Sequence, residues 1–518
     1  MDDVARFLGF QACIDLASTV PKLLKRPQLA GEAEYWSLTS PSSLTVWLGL
    51  PPPIPERLGG YNVPYPAIHW LKDDILLRVF TCYRLDDDDH WNLRLGWCKL
   101  SHVCQRWRHL IHAYAFHLSM HIKCTNGTPI VNTLDHLPQL PLFIDYKHVD
   151  IATLTEQDGL GIYHALRLHD RVYHVDISLP PSILPNVFVL LDGQFPILEH
   201  LYLTSSATSN GLPPTLPKAF LAPNLRHLSL PSISPPRRLR FLTSTVSLVT
   251  LELSGIQTSS YFRPRLLVAR LSSLPLLEEL HIGFSIPIPR PSTEREMLGE
   301  QRAPVTLPNL KNLQFRGVSA YLESLVAQIR PPFLEKLEIT LFNQIAFALP
   351  HLSYLINITE AFKPRSAVVG FDLDEVYVTT VHDSSKWGSF FFCVKCKPLD
   401  WQIDCVAQTC ALLPTLSCVE QLWLNHTHQE IPTEFRDGAI DSATWRGLLR
   451  SFIGVKRLYI EHWLLVELSR ALQVVEVGSD PGFLPYLGSI HAKYNLFTTF
   501  IDTRQVVGRS VQFQVIEW

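Results

Sequence analysis

The chain has no long hydrophobic run. No stretch approaches 18 uninterrupted apolar residues, so no transmembrane helix and no membrane partner are expected. It begins Met1-Asp2-Asp3, with no basic segment ahead of an apolar one. That start does not look like a secretory leader, and a cytoplasmic or nuclear location is expected. Charge is sparse and nearly balanced, with a net of −3 and a pI near 6.7, which argues against a broad nucleic-acid-binding face. Arg237-Arg238 with Arg240 reads as a solvated loop rather than a phosphate site. Also missing are a Gly-rich phosphate loop, a G-x-S-x-G elbow and an H-E-x-x-H helix. The chain is therefore read as a non-enzyme with no cofactor. Its ten cysteines form no disulfide framework, and free buried thiols are expected. Cys393 and Cys396 with Cys405 and Cys410 could offer four thiolates to zinc, but the second pair is spaced by four and lies only eight residues on. Packing inside the fold is the plainer account, and no metal site is assigned.

What the chain does contain is two patterns. The first lies in residues 71–111. Leu71, Ile75 and Val79 recur every four positions, and Leu76 and Phe80 repeat that spacing one step round, giving a helix with one broad apolar face. Asp73 and Asp74 fall in its first turn, where they complement the helix dipole. Leu100, Val103, Cys104, Trp107, Leu110 and Ile111 form a second stripe at helical spacing. Each stripe alone is also what an ordinary core helix shows. The pair is more specific, because Leu71-Lys72-Asp73-Asp74-Ile75-Leu76 followed by Val103-Cys104-Gln105-Arg106-Trp107 resembles an F-box, with Lys72 where Pro is usual. The link between the stripes, with Asp86 to Asp89 and Trp91, resembles the longer insert of the expanded fungal F-box proteins.

The second pattern is a repeat. Leu198-Glu199-His200-Leu201-Tyr202-Leu203 is echoed from Leu225, Leu248, Leu277, Leu310 and Leu334 at steps of 23 to 33 residues, and again from Val419 and Val455, with a degenerate early copy from Val172. This is the leucine-rich-repeat form L-x-x-L-x-L. Each unit is a short strand plus a return segment that cannot bury its apolar face alone, so the units stack into a parallel sheet. The leucines point into the core and the intervening positions line the concave face. The Asn that regular repeats carry three residues after the last Leu is absent: Ser206, Ile233, Ile256, Ser285, Val318 and Phe342 stand there. An irregular solenoid is expected, with degenerate repeats over 343–415, a helix at Leu349 to Leu355, strand-rich sequence from Ala367 to Val381 and a loop around Asp383 to Gly388.

The expected fold is α+β. An N-terminal extension with a Pro-rich linker (1–67) precedes a three-helix F-box (68–120), and an irregular α/β leucine-rich-repeat solenoid follows (121–518). The F-box resemblance implies a non-catalytic substrate-recognition adaptor of an SCF-type cullin-RING ubiquitin ligase. Leu71, Ile75, Leu76, Val79, Phe80, Val103, Cys104, Trp107 and Leu110 would divide between the module's core and the groove of a Skp-type linker. The solenoid would hold an unknown protein target. One outward column is His174, His200, His227, Thr250, Glu279, Asn312, Lys336, Gln421 and Arg457, and the other runs from Asp176 through Tyr202 to Trp423 and Tyr459. Tyr202, Trp423, Arg457 and Tyr459 are the target-binding candidates, since exposed aromatics and arginines anchor partners. A scaffold outside a ligase is the alternative, and a metal- or thiol-dependent enzyme at Cys393 and Cys396 a remote one.

Overall fold

In the computed structural model the described residues are 71–516, apart from 86–99, 102, 115–117, 119–120, 128–133, 135–139, 147–154, 182, 206–214, 237, 286–302, 343–347, 382–388, 398, 427–440 and 474–482. The extension 1–67, the acidic link with Trp91 and the loop expected at Asp383 to Gly388 lie outside the described residues. The chain divides into two compact units, Met1–Lys123 with Pro138–Pro141, and Cys124–Leu137 with Leu142–Trp518.

In the first unit, helix α1 spans Asp73–Leu85 and opens on its two aspartates. Helix α2 spans Gln105–Ala113. The second stripe is not one helix, as its spacing suggested. Leu100 and Ser101 are helical, but Cys104 is extended (φ −159°, ψ 169°) and its thiol accepts the Trp107 N–H at 3.4 Å. A side-chain acceptor at this position satisfies one of the first-turn amides and starts a new helix there. Where three helices were expected, two are described, α1 and α2. Of the segment between them only Leu100, Ser101, Val103 and Cys104 are described.

The second unit is built on strands that follow the repeat. In chain order they are β1 (Ile122–Thr125), β2 (Leu142–Tyr146), β3 (Val172–Leu179), β4 (His200–Ser205), β5 (His227–Ser229), β6 (Thr250–Ile256), β7 (Glu279–Phe284), β8 (Val305–Thr306), β9 (Asn312–Gly317), β10 (Ile329–Arg330), β11 (Lys336–Phe342), β12 (Ser366–Phe371), β13 (Glu375–Val381), β14 (Phe390–Lys395), β15 (Gln421–His426), β16 (Arg457–Ile460), β17 (Ser489–Ala492) and β18 (Gln512–Val515). Sixteen of them form one sheet, and from β2 its order is β2-β3-β4-β5-β6-β7-β9-β11-β14-β13-β12-β15-β16-β17-β18. β8 and β10 make a separate parallel pair.

Burial alternates along the strands with period two, as a half-buried sheet requires. The repeat leucines Leu201, Leu228, Leu251, Leu280, Leu313, Leu337, Leu422 and Leu458 are all at most 1% exposed. Successive helices pack beside one another, as Ser319–Val326 does against Pro264–Leu271 on one side and Pro350–Ile358 on the other. The repeats are also tied through the residue before each outward column. Glu199 O accepts the N–H groups of Arg226 (2.8 Å) and His227 (3.0 Å), and Arg226 O accepts those of Val249 (2.7 Å) and Thr250 (3.0 Å). The same double acceptance recurs at Val249, Glu278, Lys311, Glu420 and Lys456. In place of the missing Asn ladder, Ile233, Ile256, Val318 and Phe342 are buried. Asn224 and Asn309 instead donate to the carbonyls of Pro196 (2.6 Å) and Pro275 (2.8 Å) in the preceding repeats.

The expectation of one parallel sheet needs correcting over 343–415. The sheet is parallel from β2 to β11 and from β15 to β18. Between these blocks, β14 is parallel to β11 and β12 to β15, but β13 runs antiparallel to both of its neighbours. After the helix Pro350–Ile358 the chain enters β12 three places beyond β11 and turns at Asp372, whose N–H bonds Glu375 O at 2.9 Å. It then folds back through β13 and β14. Three strands fill the space of the expected degenerate repeats, but as a meander. Antiparallel neighbours need only short turns, whereas each parallel step needs a full return segment.

Candidate interaction surfaces

Helices α1 and α2 place the nine candidate residues of the first unit in three environments. Leu76, Val79, Phe80, Trp107 and Leu110 are buried, with the Phe80 and Trp107 rings edge to face at 4.9 Å. Leu71 and Cys104 are half-buried. Ile75 is 38% and Val103 47% exposed. Arg106 joins the helices, its Nε and Nη2 lying 3.0 and 2.6 Å from Asp73 Oδ1. Ile75 and Val103 thus offer apolar surface while the five buried residues close an interior.

The second surface is the sheet face opposite the repeat leucines. Both columns expected from the L-x-x-L-x-L spacing form in register. His174 lies opposite His200, then come His227, Thr250, Glu279, Asn312 and Lys336 in successive strands. The neighbouring column runs Asp176, Tyr202, Ser229, Glu252, His281, Gln314 and Glu338. Beyond the meander, Gln421 faces Arg457 and Trp423 faces Tyr459.

At the N-terminal end of this face the side chains make a ladder of rings. Phe143 stacks on His174 at 3.9 Å, His174 lies 5.0 Å from His200, and His200 stacks on His227 at 4.5 Å and 4°. His227 Nδ1 continues to Thr250 Oγ1 at 3.2 Å. Tyr202 lies alongside, 5.9 Å from His174 and 6.4 Å from His200. Burial disfavours the imidazolium form, so His200 is pushed down to about 4, with His227 and Arg226 adding repulsion. In the middle of the face, Glu252 is held at about 2, first by its hydrogen bond from His281 and then by the hydroxyls of Ser229 (2.7 Å) and Ser254 (3.1 Å).

At the C-terminal end Trp423 stacks on Tyr459 at 4.7 Å and 9°, and Tyr459 on His491 at 4.3 Å and 19°. Ser489 Oγ and His491 Nε2 lie 2.8 Å apart. Trp423 and Tyr459 are half-buried and Arg457 is exposed. Three of the four target-binding candidates therefore come together on adjacent strands. Tyr202 does not join them, since its strand β4 stands nine places from β15 and ten from β16 along the sheet order.

Sequence reasoning missed His491, Phe143 and the meander's aromatics. His491 sits in Leu487-x-x-Ile490-x-Ala492, a copy of the repeat whose last two apolar positions are not leucine. Phe143 lies in Leu142-Phe-Ile144-Asp-Tyr146, legible as period-two alternation. In the meander Tyr377 stacks near Phe391 at 5.6 Å and lies across Gly370, where a Cβ would come 2.1 Å from its ring. Only a reversed strand brings these residues opposite one another.

Cys393, Cys396, Cys405 and Cys410 are buried and outside any disulfide; burial pushes the thiols of Cys393 and Cys410 up, whereas a hydrogen bond with Cys396 lowers Cys405. Among the described residues no group of His, Cys, Asp and Glu is arranged to hold a metal, and no helix is long and apolar enough to cross a membrane.

No family model matches the sequence, and no curated protein matches it. Among solved structures it is similar to the leucine-rich repeat-containing protein LegL7 from Legionella pneumophila, at 13% identity, covering 76% of this chain and 98% of that one with a TM-score of 0.25. The leucine-rich-repeat solenoid of the second unit rests on its own strand register, stacked helices and buried leucines.

Proposed function

We propose that this chain is a non-catalytic target receptor of an SCF-type ubiquitin ligase, in which helices α1 and α2 dock a Skp-type linker and the sheet face holds a protein to be modified. The observation that carries the reading is the division of the first unit's apolar stripe. Leu76, Phe80 and Trp107 close its interior, while Ile75 and Val103 leave apolar surface outside. Linker docking uses the outer residues, so they are the ones to change. Charge at a buried position would unfold the helix pair and say nothing about docking. Fully burying an Ile or Val side chain contributes ~1.5–3 kcal/mol, and covering these half-exposed ones a share of that. Ile75→Glu with Val103→Glu should therefore weaken capture of a purified Skp-type linker at least ~tenfold, by the ~1.4 kcal/mol per decade relation, while helicity of the full chain stays at the wild-type level. Full capture by that folded variant would sink the proposal.

A further inference from the structure

Two arginines of the basic cluster, Arg238 and Arg240, stand at the edge of a cleft. Arg238 and Arg240 line a cleft of about 960 Å³ together with Lys218, Leu216 and the prolines Pro217, Pro235 and Pro236. Thr215, Ser259 and Ser260 complete its described wall. These residues belong to the return segments that follow β4, β5 and β6, so three consecutive repeats build one site.

Two further observations set the cleft apart. The first is charge. Between Glu199 and Glu278 the sequence has one carboxylate, Glu252, against one lysine and seven arginines. Glu252 is engaged on the sheet face by Ser229, Ser254 and His281. No described residue of the cleft wall is acidic, and the undescribed 206–214 contains no acid either. The side chains of Lys218, Arg238 and Arg240 are exposed and make no ion pair among the described residues.

The second is backbone strain. Leu239, between the two arginines, is left-handed at φ 46°, an unfavourable state for a residue with a Cβ. Its side chain is fully buried and its N–H bonds Pro236 O at 2.8 Å. Arg270 reaches the Arg238 carbonyl with Nη2 at 3.5 Å. The buried leucine and these bonds hold a strained turn between two exposed arginines, and such strain concentrates at functional sites.

We propose that this cleft receives an acidic stretch of a partner polypeptide, bearing clustered carboxylates or phosphoryl groups. Arginine forks bind either oxyanion in paired, charge-assisted hydrogen bonds, and the proline-rich wall gives an extended peptide an apolar surface. The volume falls at the upper end of the range for ligand pockets, enough for a short peptide segment. Nucleic acid fits less well, because the described wall has no aromatic ring on which a base would stack. The proposal does not rest on linker docking by α1 and α2.

The test uses the full chain and fluorescence anisotropy with three labelled probes: a decapeptide with four consecutive glutamates, its glutamine counterpart, and a version with two phosphoserines in place of two glutamates. A single-stranded oligonucleotide serves as a fourth. The glutamate or phosphoserine peptide should bind and the glutamine peptide should not. Whichever binds more tightly identifies the oxyanion. Arg238→Glu with Arg240→Glu should weaken binding at least ~tenfold, the loss expected from one charged hydrogen bond or more. Arg238→Gln with Arg240→Gln should give an intermediate loss. Arg330→Glu, at an exposed position outside the cleft wall, should bind as wild type. Equal binding of the glutamine peptide, unchanged binding by both arginine variants at a wild-type melting temperature, or selective binding of the oligonucleotide would each overturn the proposal.

Discussion

His200 shows how a side chain written for the surface acquires interior properties. Its place in the outward column follows from period-two alternation, yet stacking on His227 and crowding by Tyr202 remove enough water to push it down to about 4. In the unfolded chain it titrates at the ordinary 6.5. As pH falls from 6.5 toward 4, the unfolded state takes up the proton first, and stability present above 6.5 is lost across that window. Glu252 acts lower. Its contribution is present above 4.5 and is lost as pH falls toward 2. The melting temperature of the full chain should therefore fall between pH 6.5 and 4, and His200→Gln should flatten that segment while leaving the steeper loss at lower pH. A variant with the wild-type slope across the window would show that the ring ladder does not carry it.

At the scale of elements, the helix Pro350–Ile358 has a start that its own sequence only half explains. Pro350 fits the first turn because its missing N–H would have no partner there. Leu349 at the cap position offers no side-chain acceptor. The acceptor comes from the preceding repeat's helix, Ser319–Val326. Buried Glu323 accepts the His351 N–H at 2.5 Å and the Leu352 N–H at 3.2 Å, and its carboxylate lies 2.6 Å from His351 Nδ1. A carboxylate at this end also meets the favourable sign of the helix dipole. Glu323→Ala should lower stability in urea by ~1–2 kcal/mol, the range for losing a helix cap and a charged hydrogen bond. Glu323→Gln, which keeps an acceptor, should lose less. An unchanged midpoint for the alanine variant would mean that other groups cap this helix. The helix was legible from Leu349 to Leu355, but its cap was not, because the capping residue lies 28 positions earlier.

Across the whole second unit, the sheet converts repeat register into two chemically distinct ends. One carries stacked imidazoles, and the other the Trp423–Tyr459–His491 stack beside exposed Arg457. Ring stacking fills this face without closing the core, so removing two rings leaves the buried leucines intact. Trp423→Ala with Tyr459→Ala should thus keep the fold and the capacity to bind a linker, while proximity labelling in cells loses the target proteins seen with wild type. A labelling profile identical to wild type would place the receptor site elsewhere on the chain. The Arg238–Arg240 cleft is the next surface to test by the same assay.

The sequence by itself determined whatever depends on local period. Apolar residues at i, i+3, i+4 and i+7 made α1 and α2 readable, and L-x-x-L-x-L made the strands, the buried leucines and both outward columns readable, since a one-residue slip would turn each leucine to water. Tertiary structure alone decided what depends on which segments become neighbours. The meander's reversed strand could not be read, because an antiparallel and a parallel strand have the same alternation and differ only in partner. Arg238 and Arg240 read as an ordinary basic loop until three return segments, distant in sequence, walled the same cleft. Alternation specifies a face, while the charge, burial and strain on it come from residues that only folding brings together.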